Sequence, residues 1–153
     1  MDLILWRHAE ALEMREVQDD LDRALTPKGE RQAHRMAAWL NKQLPSSTRV
    51  LVSPARRAQQ TAAALDRKFK TMPALAPDAT VEGLLHAVRW PDAREPVLVI
   101  GHQPTLGLVA GYLLSGQPQA WAVRKGAAWW LRARAREGQL QIVLHALVSP
   151  ELV

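Results

Sequence analysis

The sequence predicts one α/β domain over residues 1–153, with three layers in which helices cover both faces of a largely parallel central sheet. Three short apolar runs have the length and composition of buried strands. Segments with helical spacing of their apolar residues follow these runs, and such alternation is typical of parallel sheets. Near the C-terminus, two further strand-like segments meet at Glu137 and Gly138, which predicts a strand or hairpin at the edge of the sheet.

Two residue pairs in the first half of the chain predict where helices begin. Thr26 followed by Pro27, and Ser53 followed by Pro54, each combine a capping residue with a proline suited to the first helical turn. In this interpretation the Ser53 hydroxyl caps the second helix. The predicted elements of this half are strand 2–6, an acid-rich loop 10–22, helix 27–44, strand 49–52 and helix 54–69.

The second half begins with a proline-rich segment and ends in strands. Pro104 marks the start of the last predicted helix. Arg132, Arg134 and Arg136 alternate with apolar residues, as a half-buried strand requires. The predicted elements are an irregular segment 71–79, a short helix 81–88, strand 96–100, the helix from 104, and strands 127–136 and 139–147.

The chain is basic, with a formal net charge of +5. A nucleic-acid surface would produce this excess, but so would a solvated strand with charged side chains. Charge alone is weak evidence for a partner, so we do not expect nucleic-acid binding. An acidic protein partner or a phosphorylated substrate would also be attracted.

Other features of the composition predict a cytoplasmic protein. The absence of cysteine excludes disulfides and thiolate metal sites, which fits a reducing compartment. We expect neither a membrane span nor a signal peptide, because no apolar run is long enough and no basic region precedes one.

Residues suited to binding an oxyanion follow each of the three predicted buried strands. They are Arg7 and His8 after the first strand, Ser53-Pro54 and then Arg56 and Arg57 after the second, and Gly101-His102 after the third. Because ligands bind at the carboxyl ends of parallel strands, these side chains can converge on one pocket. Arginine can hold a phosphate through two parallel hydrogen bonds, so the pocket is predicted to bind phosphate.

These residues resemble the histidine phosphatase superfamily, which has the phosphoglycerate mutase-like fold. The resemblance rests on Arg7-His8-Ala9, on residues 51–62 with Arg57, on Gly101-His102, and on residues 23–29. It implies that His8 is a catalytic nucleophile, that Arg7, Arg57 and His102 complete the catalytic set, and that Arg23 also binds phosphate. Arg56 is expected to be a surface residue.

The short connection between the second and third strands, residues 53–95, resembles the compact SixA-type phosphohistidine phosphatases. That resemblance implies a role in signal transduction. The implied partner is a phosphorylated protein, with a histidine phosphotransfer domain as one candidate.

The resemblance also implies a two-step reaction without metal or cofactor. His8 would attack phosphorus, and water would release inorganic phosphate from the phosphorylated His8. The protonated imidazole of a phosphohistidine leaves readily, whereas a phosphoester needs a proton donor for its alkoxide. Glu82 is the best candidate donor in the sequence, although a solvated helix position explains it as well.

Two other functions remain open at this point. One is a phosphatase for small phosphomonoesters, which would need an acid such as Glu82. The other is a noncatalytic module that binds phosphoproteins or nucleic acid. Retention of both His8 and His102 argues against the latter, since anion binding does not require a nucleophile.

Overall fold

Six strands form one mixed sheet in the computed structural model, which describes every residue from Met1 to Val153. The strands are β1 (Asp2–Arg7), β2 (Arg49–Val52), β3 (Lys70–Thr71), β4 (Val97–Gly101), β5 (Ala128–Arg136) and β6 (Gln139–Val148). Their order across the sheet is β3-β2-β4-β1-β5-β6. The first four strands in that order are parallel, and β5 and β6 continue the sheet antiparallel.

Four α-helices cover the two faces of the sheet, and each face has its own apolar core. The helices are α1 (Pro27–Gln43), α2 (Arg56–Ala63), α3 (Val81–Ala87) and α4 (Thr105–Ser115). Met36 of α1 and Ala58 of α2 pack against one face, while Leu84 of α3 and Leu106 of α4 pack against the other. The predicted fold class is therefore confirmed, including the edge hairpin. None of the helices combines the length and apolar character that a membrane span requires.

The turn of the β5–β6 hairpin lies at Glu137 and Gly138, as the sequence predicts. Glu137 and Gly138 both have positive φ, at 54° and 77°. Two central residues in this left-handed region are what the tightest hairpin turns require, and glycine adopts it without cost.

The prediction for the second helix was wrong at both ends. The helix begins at Arg56 and ends at Ala63, well before Phe69. Asp66 has a φ of 52°, which no α-helix can accommodate, so the chain turns there. Leu65 and Phe69 still pack against the core that α2 covers, which explains their apolar spacing.

Candidate active site

The carboxyl ends of β1, β2 and β4 lie side by side at one edge of the sheet. Arg7 is in register with Gly101, and Val52 is in register with Ile100. The residues that follow these strands are thereby brought together, and the rings of His8 and His102 lie 5.1 Å apart between their centroids. We call Arg7, His8, Arg23, Arg57 and His102 the strand-end cluster.

His8 is buried, with 5% of its surface exposed, and its hydrogen bonds define its tautomer. Its Nδ1 lies 2.8 Å from the Ala9 carbonyl oxygen, which can only accept, so Nδ1 carries the proton. The Nε group of Arg57 donates to His8 Nε2 at 3.3 Å, so Nε2 presents its lone pair. Burial, together with the positive charges of Arg57 and Arg7, lowers the pKa of His8 to about 3. The ring is therefore neutral at pH 7 and nucleophilic at Nε2.

His102 is oriented by the hydroxyl of Ser53. Its Nε2 lies 2.7 Å from Ser53 Oγ, which already accepts a hydrogen bond from the Ala55 backbone N–H. The Ser53 hydroxyl proton has no other acceptor, so it is donated to His102 Nε2 and the ring proton resides on Nδ1. That Nδ1–H is buried without a partner. Burial, reinforced by the charge of Arg57, lowers the pKa of His102 to about 4.

Arg7 also has an unsatisfied donor. Its Nη1 donates to the Val123 carbonyl at 2.9 Å, but its Nε is buried without a hydrogen-bond partner. A buried polar group without a partner is costly in the free protein. Arg7 Nε and His102 Nδ1 are therefore two buried donors beside His8 that an entering anion could satisfy.

Arg57 and Arg23 meet at the carboxylate of Asp20. Arg57 lies in the first turn of α2 with 3% of its surface exposed, and its Nη2 donates to Asp20 Oδ2 at 3.1 Å. Its Nη1 donates to the Asp20 backbone carbonyl at 2.7 Å. Arg23 donates to the other carboxylate oxygen of Asp20 at 3.2 Å. The neighbouring Arg56 is exposed, as expected, and pairs with Asp22.

Thr61 fixes the chain beside His8 to helix α2. Its hydroxyl accepts a hydrogen bond from the Ala9 backbone N–H at 3.1 Å and donates to the Arg57 carbonyl at 2.8 Å. The backbone carbonyl of His8 accepts a further bond from Gly126 N–H at 3.1 Å. These contacts hold the backbone on both sides of the His8 ring.

Glu82 lies apart from these contacts. It occupies the first turn of α3, is exposed, and forms no hydrogen bond or ion pair with the strand-end cluster. No group of three or more His, Asp or Glu side chains is arranged to hold a metal ion.

Sequence reasoning missed two polar residues of this site, Thr61 and Asp20, and assigned a third, Ser53, the wrong role. Ser53 was interpreted as a helix cap, which is wrong because α2 begins at Arg56 with Ala55 as its N-cap. Thr61 was not considered, although it lies one helical turn beyond Arg57. Asp20 was assigned only to an acid-rich loop, and its spacing of three residues from Arg23 is the one local signal that pointed to a contact.

Comparison with known proteins identifies the family. The histidine phosphatase superfamily (branch 1) matches residues 3–80, just over half of the chain. The phosphohistidine phosphatase SixA of Escherichia coli K12 is 33% identical over 126 residues, which cover 76% of each chain. A candidate phosphohistidine phosphatase SixA from Nakamurella multipartitia has a solved structure that superposes with a TM-score of 0.80 at 28% identity, over 97% of this chain and 95% of that one.

A second solved structure, the protein histidine phosphatase SixA complexed with tungstate, has a TM-score of 0.77 and 26% identity, with 99% of each chain covered. Sequence, fold and strand-end motifs thus agree. The chain belongs to the histidine phosphatase superfamily (branch 1) and is SixA-like within it.

Proposed function

We propose that this phosphatase removes the phosphoryl group from a phosphohistidine of a signalling protein, through a covalent intermediate on His8. The observation that carries the proposal is the pairing of a neutral, nucleophilic His8 with a cluster that has no proton-donating carboxylate. Asp20 is the only carboxylate that contacts the cluster. Although partial burial raises its pKa, hydrogen bonds and charge from Arg23 and Arg57 outweigh this and lower the pKa of Asp20 below its usual value. Asp20 is therefore ionised at neutral pH and cannot act as an acid.

A phosphohistidine substrate needs no such acid. When its ring carries a proton on the nitrogen remote from phosphorus, the ring departs as neutral imidazole once the P–N bond breaks. A phosphoester would instead release an alkoxide, which requires a proton in the transition state. The site is thus better suited to P–N than to P–O cleavage.

In the first step, the lone pair of His8 Nε2 attacks phosphorus in line with the departing imidazole. The His8 ring becomes positively charged, because Nδ1 keeps its proton, and the Ala9 carbonyl stabilises that charge. Arg7 Nε and His102 Nδ1 are unpaired donors for the equatorial oxygens. Arg57, released from His8 Nε2, and Arg23 supply further positive charge, and this electrostatic stabilisation is the main contribution of the protein.

In the second step, water attacks the phosphorus of phosphorylated His8. A P–O bond forms, the bond from phosphorus to Nε2 breaks, and His8 leaves as the neutral Nδ1–H tautomer. The protons of the water remain with the inorganic phosphate, so no metal or cofactor enters either step.

The relatives support this choice of substrate class. The Escherichia coli relative is named a phosphohistidine phosphatase, and the tungstate complex shows a SixA protein holding a tetrahedral oxyanion. We propose a phosphorylated protein, such as a histidine phosphotransfer domain, as the partner of this chain and inorganic phosphate as its product.

The test compares two substrates on the same enzyme preparation. Turnover of a phosphorylated histidine phosphotransfer domain is measured beside turnover of p-nitrophenyl phosphate. We expect a higher kcat/KM for the phosphoprotein. Faster turnover of the small ester would reject the phosphohistidine assignment in favour of a small-phosphomonoester phosphatase, and no turnover of either would favour a binding module.

A further inference from the structure

We propose that the Asp20 carboxylate is an internal competitor for the substrate's phosphoryl group and thereby sets the affinity of the site for phosphate. This inference rests on the proposed function, which assigns Arg23 and Arg57 to the phosphoryl group. In the free enzyme the Asp20 carboxylate forms ion pairs with both arginines. The entering phosphoryl group must displace this carboxylate.

The contacts of Asp20 resemble those of a bound oxyanion. Its Oδ1 accepts a hydrogen bond from Arg23 at 3.2 Å, and its Oδ2 accepts one from Arg57 at 3.1 Å. One oxygen on each of two arginines is also how a phosphoryl group would bridge them. The Arg57 edge that faces Asp20 is fully engaged, because Nη1 donates to the Asp20 backbone carbonyl.

The charges of the site explain why an anion is held there in the absence of substrate. Arg7, Arg23 and Arg57 lie close enough that their mutual repulsion, added to burial, lowers the pKa of Arg7. Asp20 is the only carboxylate that forms an ion pair with any of the three. A phosphoryl group would bring two negative charges to the same arginines and would repel Asp20.

Asp20 can leave without disturbing the fold. Its side chain is 42% exposed, whereas that of Arg57 is 4% exposed. It lies on a three-residue 3₁₀ helix, Asp20–Asp22, that contains no buried residue. Rotation of the carboxylate into solvent leaves the bond from Arg57 Nη1 to the Asp20 backbone intact. Arg57 therefore stays oriented by that carbonyl when the carboxylate departs.

The experiment measures the affinity for inorganic phosphate directly, by calorimetric titration of the full-length protein. Asp20→Asn removes the charge at constant shape, and we expect its Kd for phosphate to fall about fivefold, the scale of a partly exposed ion pair. Asp20→Ala should shift the Kd in the same direction. The KM for a phosphorylated phosphotransfer domain should fall in parallel.

Asp22→Asn is the matched control. Asp22 lies on the same 3₁₀ helix and its removal changes the net charge equally, but it pairs only with the exposed Arg56 at 3.4 Å. We expect its phosphate affinity to match that of the wild type. If both Asp20 variants bind phosphate no more tightly than Asp22→Asn, Asp20 merely positions the arginines and the proposal is wrong.

That result would leave the proposed function intact, because the wild type would still bind and release phosphate. Failure of all four proteins to bind phosphate would instead contradict the proposed function, and the competition with it.

Discussion

Two regions of the protein carry closely spaced arginines, and they differ in almost every physical respect. In the strand-end cluster, Arg57 is 3% exposed and contacts His8 and Asp20. On the β5–β6 hairpin, Arg134 and Arg136 are exposed and form no ion pair, while Arg132 is held by Asp2 at 2.9 Å. The hairpin arginines are solvated or already neutralised, whereas the cluster retains buried donors without partners. Burial and unmet hydrogen bonds next to His8, rather than charge itself, distinguish the strand-end cluster from the basic hairpin.

The largest difference between the regions is expected for their histidines. His8→Ala removes the proposed nucleophile, so kcat for the phosphorylated phosphotransfer domain should fall by at least about a thousandfold. His145→Ala on β6 alters an exposed histidine and should leave kcat within about twofold of wild type. Equal rates for the two variants would reject a role for His8 in the chemistry.

Replacing an arginine by alanine should also affect kcat/KM very differently in the two regions. Arg57→Ala should lower kcat/KM by about a hundredfold to a thousandfold, the usual cost of losing one preorganised donor to transition-state charge. Arg134→Ala on the hairpin removes the same charge from a solvated position and should change kcat/KM by less than about twofold. Comparable losses in both variants would mean that overall charge, and not the buried cluster, attracts the substrate.

A smaller loss is expected from Ser53→Ala, which removes the group that fixes the His102 tautomer. We expect kcat to fall roughly tenfold with little change in KM, as is typical when the partner that orients a functional histidine is lost. Ser46→Ala, in an exposed loop before β2, is the control. An unchanged kcat in Ser53→Ala would show that His102 does not depend on Ser53.

The buried histidines His8 and His102 should make the stability of the fold depend on pH. The folded-state pKa values of about 3 for His8 and about 4 for His102 lie below the ordinary 6.5. The unfolded chain therefore binds more protons between about pH 4 and pH 6.5, and the free energy of unfolding falls as pH falls through that window. The loss from pH 7 to pH 5 should be about 2 kcal/mol for each histidine.

Urea denaturation at the two pH values measures this loss. His8→Gln should reduce the difference, because it removes one of the two buried imidazoles. If His8→Gln leaves the pH dependence unchanged, His8 is not held neutral by the fold.

The smallest effect is expected at Glu82. Because Glu82 is exposed and forms no hydrogen bond or ion pair with the cluster, Glu82→Gln should change turnover of the phosphohistidine substrate by less than about twofold. A larger loss confined to phosphoesters with poor leaving groups, such as phosphoserine, would identify Glu82 as the proton donor of a small-ester activity.

The sequence was sufficient for five of the six strands, and the two-residue β3 (Lys70–Thr71) was the one not predicted. Arg7, His8 and His102 directly follow apolar strands, so the parallel register alone brings them together. Ser53 directly follows β2, so the same register explains its position, although its role was assigned from a local pattern. The position of Asp20 is not fixed by the sheet, since it lies in the connection between β1 and β2. The bond from Ser53 to His102 exists only after β2 and β4 pair, and local capping patterns gave the wrong role. The contact of Asp20 with Arg57 depends on how a short 3₁₀ helix lies over α2, which no periodicity encodes.

The central claim is that the phosphoryl group passes through Nε2 of His8. The most direct measurement mixes the enzyme with a radiolabelled, phosphorylated phosphotransfer domain, quenches in alkali to preserve phosphohistidine, and locates the label by peptide mapping and NMR. We predict label on His8 at Nε2 in the wild type and none in His8→Ala. Turnover without labelled His8, or label at Nδ1, would contradict the mechanism.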